Sequence, residues 1–399
     1  MSLVRNDRGF AIPRLPVMGW QTFGSAAASP LPCLLDHPHK QLTTSGRAAI
    51  LLALDCLGVG PGDVVLVPAY HCPTMVAPVL ARGAQPLFYP IDEQGAARLD
   101  WLREHAPAQA RVLLATHFFG LPQPMQGLRD WCDQRGLALI EDCAHALFGR
   151  SGSRAVGHWG DLAIASLTKF LPTPEGGCLV VNRAGLPLPQ LRPVSALAQL
   201  KAAADILHVG AAHGRLPGLN GLVMGVFGLR QGLSRRGRAQ PDAAAPAPAE
   251  DEDVALTRID EGLARRQLSA ACAWVAGHVP RARIVATRRR HYEAFARAFA
   301  GQAGLHPLLP QLQTEAAPYV FPLWVDQPDP GYLEMRRLGV PVSRWDRLWP
   351  GVPELPGDMG PRWSHHVLQL ACHQDLGEDE LARIIETVLR LFARRNAAA

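Results

Sequence analysis

The sequence predicts an α/β fold in which a larger domain, built on a mostly parallel, helix-flanked sheet, precedes a smaller C-terminal α+β domain. Three observations lead there. Between residues 45 and 182, short aliphatic or β-branched runs alternate with helical segments and end in turn residues, the pattern of a parallel sheet covered by helices. The 399 residues exceed the ~100–200 of one ordinary domain. Residues 236–253 are Pro/Ala-rich and acidic, as a mobile linker would be.

The strand candidates of the large domain are 64–69, 86–92, 111–118, 137–144, 162–167 and 177–182, with helices between them at 46–57, 73–82, 97–105 and 124–135. Ser45 precedes the apolar-periodic AAILLALDCL and offers an oxygen to cap the helix that starts near Gly46. Residues 190–235 form an apolar insertion punctuated by Gly and Pro. Either it packs as helices on the core, or, through 196–235, it meets a membrane surface or a partner, since it ends in the basic LRQGLSRRGR. The predicted domains are thus 1–235 with the insertion, the linker 236–253, and 254–399. The last comprises arginine-rich helices, a strand over 319–325, a helix over 331–338, a strand over 367–373 and a final acid-capped helix from about Glu378 to Arg395.

Composition narrows the chemistry. Hydrophobic residues make up 48% of the chain and charged residues 19%, enough apolar material for packed cores and too much for disorder. The net charge of +5 is not gathered into a basic block, which speaks against nucleic-acid binding. The eight cysteines show no C-x-x-C pair and no metal-ligand spacing with histidine, so we expect no metal site and a reducing cytoplasm. The N-terminus lacks an uninterrupted apolar signal segment. No stretch reaches the ~20 apolar residues of a membrane span. Only three lysines exist, Lys40, Lys169 and Lys201, so lysine chemistry has few candidates.

Four pieces fall at the ends of successive strands, where open α/β sheets bind ligands. T-S-G-R-A-A (44–49) opens a helix whose free N–H groups suit a phosphate, or it is only a capped helix start. I-E-D-C-A-H-A (140–146) delivers Asp142 at a strand end with His145 three residues on. The carboxylate could keep a pyridine nitrogen protonated, or serve as a helix cap, and His145 could be a core-edge histidine. G-D-L-A-I-A-S-L-T-K-F (160–170) places Lys169 just past an apolar strand. It is either a solvated loop lysine or a partly desolvated amine with a lowered pKa, as covalent chemistry with a carbonyl needs. P-T-P-E-G-G-C-L-V-V-N (172–182) marks a tight glycine turn back into the sheet.

Taken in order, these residues resemble the DegT/DnrJ/StrS family of sugar aminotransferases, which has the type I fold of pyridoxal-phosphate enzymes. The resemblance starts at S-G-R-A-A and runs through L-G-V-G-P-G-D-V-V-L-V-P-A (57–69), G-A-Q-P-L-F-Y-P-I-D (83–92), H-F-F-G-L-P-Q-P-M (117–125) and G-L-A-L-I-E-D-C-A-H-A (136–146). It continues through Lys169, E-G-G at 175–177, Y-V-F-P-L-W-V-D (319–326) and L-Q-L-A-C-H-Q-D-L-G-E-D-E-L (368–381).

The resemblance implies that Lys169 is the Schiff-base lysine and proton shuttle, Asp142 the partner of the pyridinium nitrogen, and His145 the group against the ring. Gly46, the backbone of Arg47 and Ala48, and the Ser166 hydroxyl would hold the phosphate. It also implies an amino-acid donor, glutamate as usual in the family, a nucleotide-linked keto-sugar acceptor, and a homodimer serving polysaccharide or glycoconjugate synthesis. The chain departs from the family in three places. Ser166 precedes the lysine by three residues instead of five. Near Cys72, where an aromatic ring is usual, it offers Tyr70 and His71. Leu256 stands where a subunit-crossing asparagine is usual, with Arg258 as the accompanying arginine. The altered aromatic and subunit-crossing positions, with the apolar insertion, motivate a second reading, a non-catalytic relative that binds or scaffolds in polysaccharide assembly; a pyridoxal-phosphate lyase acting on an amino acid is a third.

Overall fold

The computed structural model describes residues 4–7, 9–24, 29–236 and 258–393. Nearly all of the expected linker, and Leu256, lie outside them. A seven-stranded sheet organises the first part of the chain. Its strands are β1 (Lys40–Thr43), β2 (Val64–Pro68), β3 (Gln85–Tyr89), β4 (Ala110–Thr116), β5 (Ala138–Asp142), β8 (Leu162–Ser166) and β9 (Gly177–Val181). Between β5 and β8 lies a two-residue hairpin, β6 (Arg150–Ser151) and β7 (Arg154–Ala155). The order is β1-β9-β8-β5-β4-β2-β3, parallel from β8 to β3, with β9 antiparallel to both β8 and β1.

β2, β5 and β9 are buried along their whole length, as strands covered on both faces must be, and their Val, Leu and Ile content suits that position. The Gly176–Gly177 turn reverses the chain into the antiparallel β9. Gly176 has φ +146, and a Cβ on Gly177 would lie 2.2 Å from the Ser45 carbonyl oxygen. The glycines therefore let the lysine loop approach the start of the first helix.

Helix α1 (Gly46–Cys56) is capped by Ser45, whose hydroxyl accepts the Ala48 N–H at 3.1 Å, and it buries Ala48 through Leu54 against the sheet. Helices α2 (Val76–Ala81), α3 (Leu99–His105) and α4 (Gln126–Arg135) follow β2, β3 and the β4 loop. The predicted helix at 73–82 starts as a 3₁₀ turn over Pro73–Met75, because Pro73 and Pro78 limit the regular helical bonding. The insertion folds as two helices, α5 (Ala196–Ala212) and α6 (Asn220–Arg236). Among the described residues no helix is long and apolar enough to cross a membrane.

The second sheet has four antiparallel strands in the order β10 (Leu305–Pro307), β11 (Val320–Val325), β13 (Val367–Ala371) and β12 (Val342–Ser343). The helix Arg281–Phe299 joins the two cores. Its Ile284 and Val285 pack with Leu34, Phe148 and Phe170 beside the large sheet, while Tyr292, Phe295 and Phe299 pack with Phe321 and Leu370 of the small one.

Candidate active site

The carboxyl ends of β5 and β8 bring the reactive groups together. Asp142 is the last residue of β5, and its side chain is buried. After Ser166 ends β8, a single 3₁₀ turn, Leu167–Lys169, swings the lysine back over the strand ends. Its ammonium lies 5.3 Å from the centre of the Tyr319 ring. Burial lowers the Lys169 pKa, against the upward pull of Cys72 and Asp142. The other two lysines are committed elsewhere: Lys40 donates to the His37 carbonyl, and Lys201 pairs with Asp205.

Burial raises the Asp142 pKa, opposed by the Ala144 N–H donating to its Oδ1 at 2.8 Å and by the charge of Lys169. Its partners only partly compensate the carboxylate. The preceding residue anchors the end of β5. Glu141, fully buried, accepts the N–H groups of Gly157 and Trp159 at 2.8 Å and contacts His117 Nε2 at 3.0 Å. His117 Nδ1 in turn accepts the Gln123 N–H at 3.1 Å, so the Nε2 proton points at the acid. Sulfur, imidazole and carboxylate of Cys143, His117 and Glu141 lie within 4.8 Å of one another, but these hydrogen bonds already engage the imidazole and carboxylate.

His145 is buried on the turn after β5, and its Nδ1 accepts the Phe119 N–H at 3.2 Å, leaving the ring proton on Nε2. Burial, and then the neighbouring Lys169 charge, hold its pKa well below the ordinary 6.5, so the imidazole is neutral. The rings of Tyr319 and Trp345 stand 4.6 and 5.1 Å from it. The Lys169 amine and the neutral His145 imidazole thus both neighbour the Tyr319 ring, with Trp345 beside the imidazole.

The start of α1 meets the strand end that leads into the lysine loop. Gly46 sits so close that a Cβ there would be 3.2 Å from the Cβ of Ser166. The helix start therefore faces the Ser166 hydroxyl, which lies 3.4 Å from that of Thr168. Of the first-turn amides, that of Ala48 is already taken by Ser45. The Arg47 guanidinium is half-buried and donates to the backbone carbonyl of Arg258, within the same chain. Between Arg47, Arg258 and Asp260 lies a cavity of about 260 Å³.

Tyr70, His71 and Cys72, shortly after β2, are engaged differently. Tyr70 is buried between Phe118, Trp345 and Trp363, with ring centres 5.1–5.4 Å apart. His71 is also buried. It stacks on Phe88 at 5.1 Å, donates from Nδ1 to the Ala69 carbonyl at 2.9 Å and accepts the Trp349 N–H at Nε2. Burial pushes its pKa down to about 4. Both nitrogens thus serve the backbone. Cys72 is half-buried, and the Thr74 hydroxyl donates to its sulfur at 3.1 Å.

Sequence reading alone did not single out Tyr319, Trp345, Arg288 or Gln374. Tyr319 had a signal, as the aromatic residue opening the quoted Y-V-F-P-L-W-V. Arg288 was one arginine among many in its helix. It is fully buried, donates to the Lys169 carbonyl at 2.7 Å and to the Pro318 and Tyr319 carbonyls at 3.0 Å, and lies 4.4 Å over the Phe170 ring. Its Nε donates to Gln374 Oε1 at 2.9 Å, and Gln374 Nε2 donates to the Phe170 carbonyl. One guanidinium therefore fixes the backbone of the lysine loop and of Tyr319 together.

Residues 31–186 match the model of the DegT/DnrJ/EryC1/StrS aminotransferase family, a segment that contains Gly46, Asp142, His145 and Lys169. GDP-perosamine synthase of Vibrio cholerae is 33% identical over 147 residues, 36% of this chain and 40% of that protein. The dTDP-3-amino-3,4,6-trideoxy-alpha-D-glucose transaminase of Streptomyces venezuelae is 36% identical over 35% of this chain and 36% of its own length. The chain thus spans about two fifths of the length of the curated relatives it matches. The fold is shared far more widely. The aminotransferase TlmJ from Streptoalloteichus hindustanus superposes with a TM-score of 0.60 over 90% of this chain and 87% of its own, at 19% identity. NtdA from Bacillus subtilis, solved with bound cofactor PMP, superposes at 0.56 over 90% and 74%, at 18% identity.

Proposed function

With residues 31–186 matched to that family, we propose that the chain is a pyridoxal-phosphate-dependent aminotransferase. It moves an amino group from an amino acid, glutamate in our reading, to a nucleotide-linked keto sugar destined for a polysaccharide or glycoconjugate. The observation that carries this reading is the partly desolvated amine of Lys169, set over the Tyr319 ring and electrostatically coupled to the buried carboxyl of Asp142. The sugar-nucleotide relatives support the acceptor class, and a role in polysaccharide synthesis is named for one of them, from Bacillus subtilis. The donor and a homodimeric assembly belong to the same proposal.

The residues present fit the cofactor. Asp142 is a buried acid whose charge is only partly compensated, and a protonated ring nitrogen would supply the missing partner. His145 and Tyr319 offer flat faces for a ring. Gly46 at the start of α1, Arg47 and Ser166 would hold a phosphate, with the helix dipole in support. When bound, pyridoxal phosphate supplies an aldehyde for condensation with amines and a ring that takes up charge.

The protein's own part is proton handling and positioning. Burial raises the neutral fraction of the Lys169 amine, so it can attack a carbonyl and later carry a proton. Neutral His145 adds no competing positive charge beside it, and the aromatic walls exclude water.

The test is the first half of the reaction. Cofactor-loaded protein mixed with glutamate should lose its long-wavelength absorbance and release 2-oxoglutarate. Asp142→Ala should slow this about a hundredfold or more, the scale of losing a positioned acid–base group. Bound cofactor whose spectrum ignores every amino donor would overturn the enzyme reading and favour a binding role.

A further inference from the structure

The insertion presents a surface that the catalytic reading does not use. Helix α5 packs inward through Ala202, Ile206 and Gly210, spaced i, i+4, i+8, with Gly210 so close to Met18 that a Cβ would lie 2.3 Å from its carbonyl oxygen. The opposite face carries Leu197, Leu200 and Leu207, which are 74%, 68% and 43% exposed. Helix α6 continues this outer face with Leu222, Val226 and Leu229, at 67%, 56% and 71%. Up to Leu229 no residue of α6 is buried; it rests on α5, with Phe227 stacked on His208 at 4.2 Å.

A helix of this composition has little reason to form in water. Residues 220–229, NGLVMGVFGL, contain no charge and three glycines, at each of which a Cβ would meet only open space. Glycine is among the weakest helix formers, and short helices depend on a packed apolar face. Here that face is bare. A contiguous exposed apolar patch of this kind marks an interaction surface.

Charge decides the partner. Residues 190–236 hold six basic residues (Arg192, Lys201, Arg215, Arg230, Arg235, Arg236), of which Arg215 pairs inward with the buried Glu380, and one acidic residue, Asp205. Their net +5 equals the net charge of the whole chain, so the remainder is neutral in sum. Pairing this face with a second copy would bring two such segments together. An anionic lipid surface instead accepts leucines into its interfacial region and arginines at its headgroups. We propose that the outer face of the α5–α6 hairpin docks on an anionic lipid bilayer, lying on the membrane and not spanning it. This holds whether or not the chain is an aminotransferase.

The full-length protein is spun down with vesicles of phosphatidylcholine alone and of phosphatidylcholine containing a third phosphatidylglycerol, at low and high salt. Binding is expected only with the anionic vesicles and should weaken as salt screens the charges. The double substitution L222D/V226D, at two exposed positions, should reduce it about tenfold or more while circular dichroism stays unchanged, and R230E/R235E/R236E should do the same through charge. The proposal is overturned if the protein ignores anionic vesicles, or if L222D/V226D binds them like the parent. It is equally overturned if L222D/V226D instead splits a soluble oligomer that never binds vesicles, which would make a second copy the occupant.

Discussion

Lys169 owes its position to a residue far from it in sequence. Arg288 is a buried cation whose four hydrogen bonds within 3.0 Å go to neutral acceptors, and burial pushes its pKa down to about 10. It stays charged at neutral pH, held by oriented carbonyl dipoles and the Phe170 face. Replacing it with methionine strands those acceptors without a donor. Arg288→Met should therefore cost about 3–5 kcal/mol in denaturant unfolding, the scale of breaking a buried charged network. Lysine keeps the charge but not the planar fork, so Arg288→Lys should recover only part of that loss. A change below about 1 kcal/mol for Arg288→Met would show that the loop is held by other means.

Elements were legible wherever the sequence pattern is local. The alternation that predicts a parallel sheet is realised in β2, β3, β4, β5 and β8, and the glycine turn before Gly177 in β9. β1 was missed because KQLT has neither length nor apolar character; it forms by pairing with β9, a long-range contact that no window of sequence displays. The same limit applies at the site. Asp142 and Lys169 could be singled out because one ends an apolar strand and the other follows one within three residues.

Tyr70 and His71 are adjacent in sequence, yet tertiary packing sends Tyr70 into an aromatic cluster and His71 onto the backbone. Trp345 reaches His145 from the small sheet's edge, and its preceding VPVS gives no hint of that. Gly120 illustrates how tightly the two cores meet: at φ +88, a Cβ would lie 2.4 Å from the Tyr319 nitrogen. Tyr319 itself donates its N–H to the Phe119 carbonyl at 2.7 Å.

Across the whole molecule, buried histidines govern the response to acid. Burial lowers the pKa of His71 and His291 to about 4, and those of His145 and His373 well below 6.5. The unfolded chain takes up protons on these groups below about pH 6.5 while the folded chain does not. Stability therefore falls as pH drops from about 6.5 toward 4, by about 1.4 kcal/mol per pH unit for each such histidine. Among the described carboxyls the shifts divide evenly, raised for Asp142, Asp358 and Asp375 and lowered for Asp100, Glu141 and Asp161. The histidines thus set the sign. Urea unfolding midpoints measured across this range should decline steadily, and a flat profile would mean that these rings are protonated in the fold.

The proposed chemistry rests on one amine, and with three lysines in the chain that amine can be identified directly. The protein is loaded with pyridoxal phosphate, reduced with borohydride, digested and weighed peptide by peptide. The predicted result is a single modified peptide, the one containing Lys169, and no modification in Lys169→Ala. Label on Lys40 or Lys201 in place of Lys169, or label that survives Lys169→Ala, would contradict it.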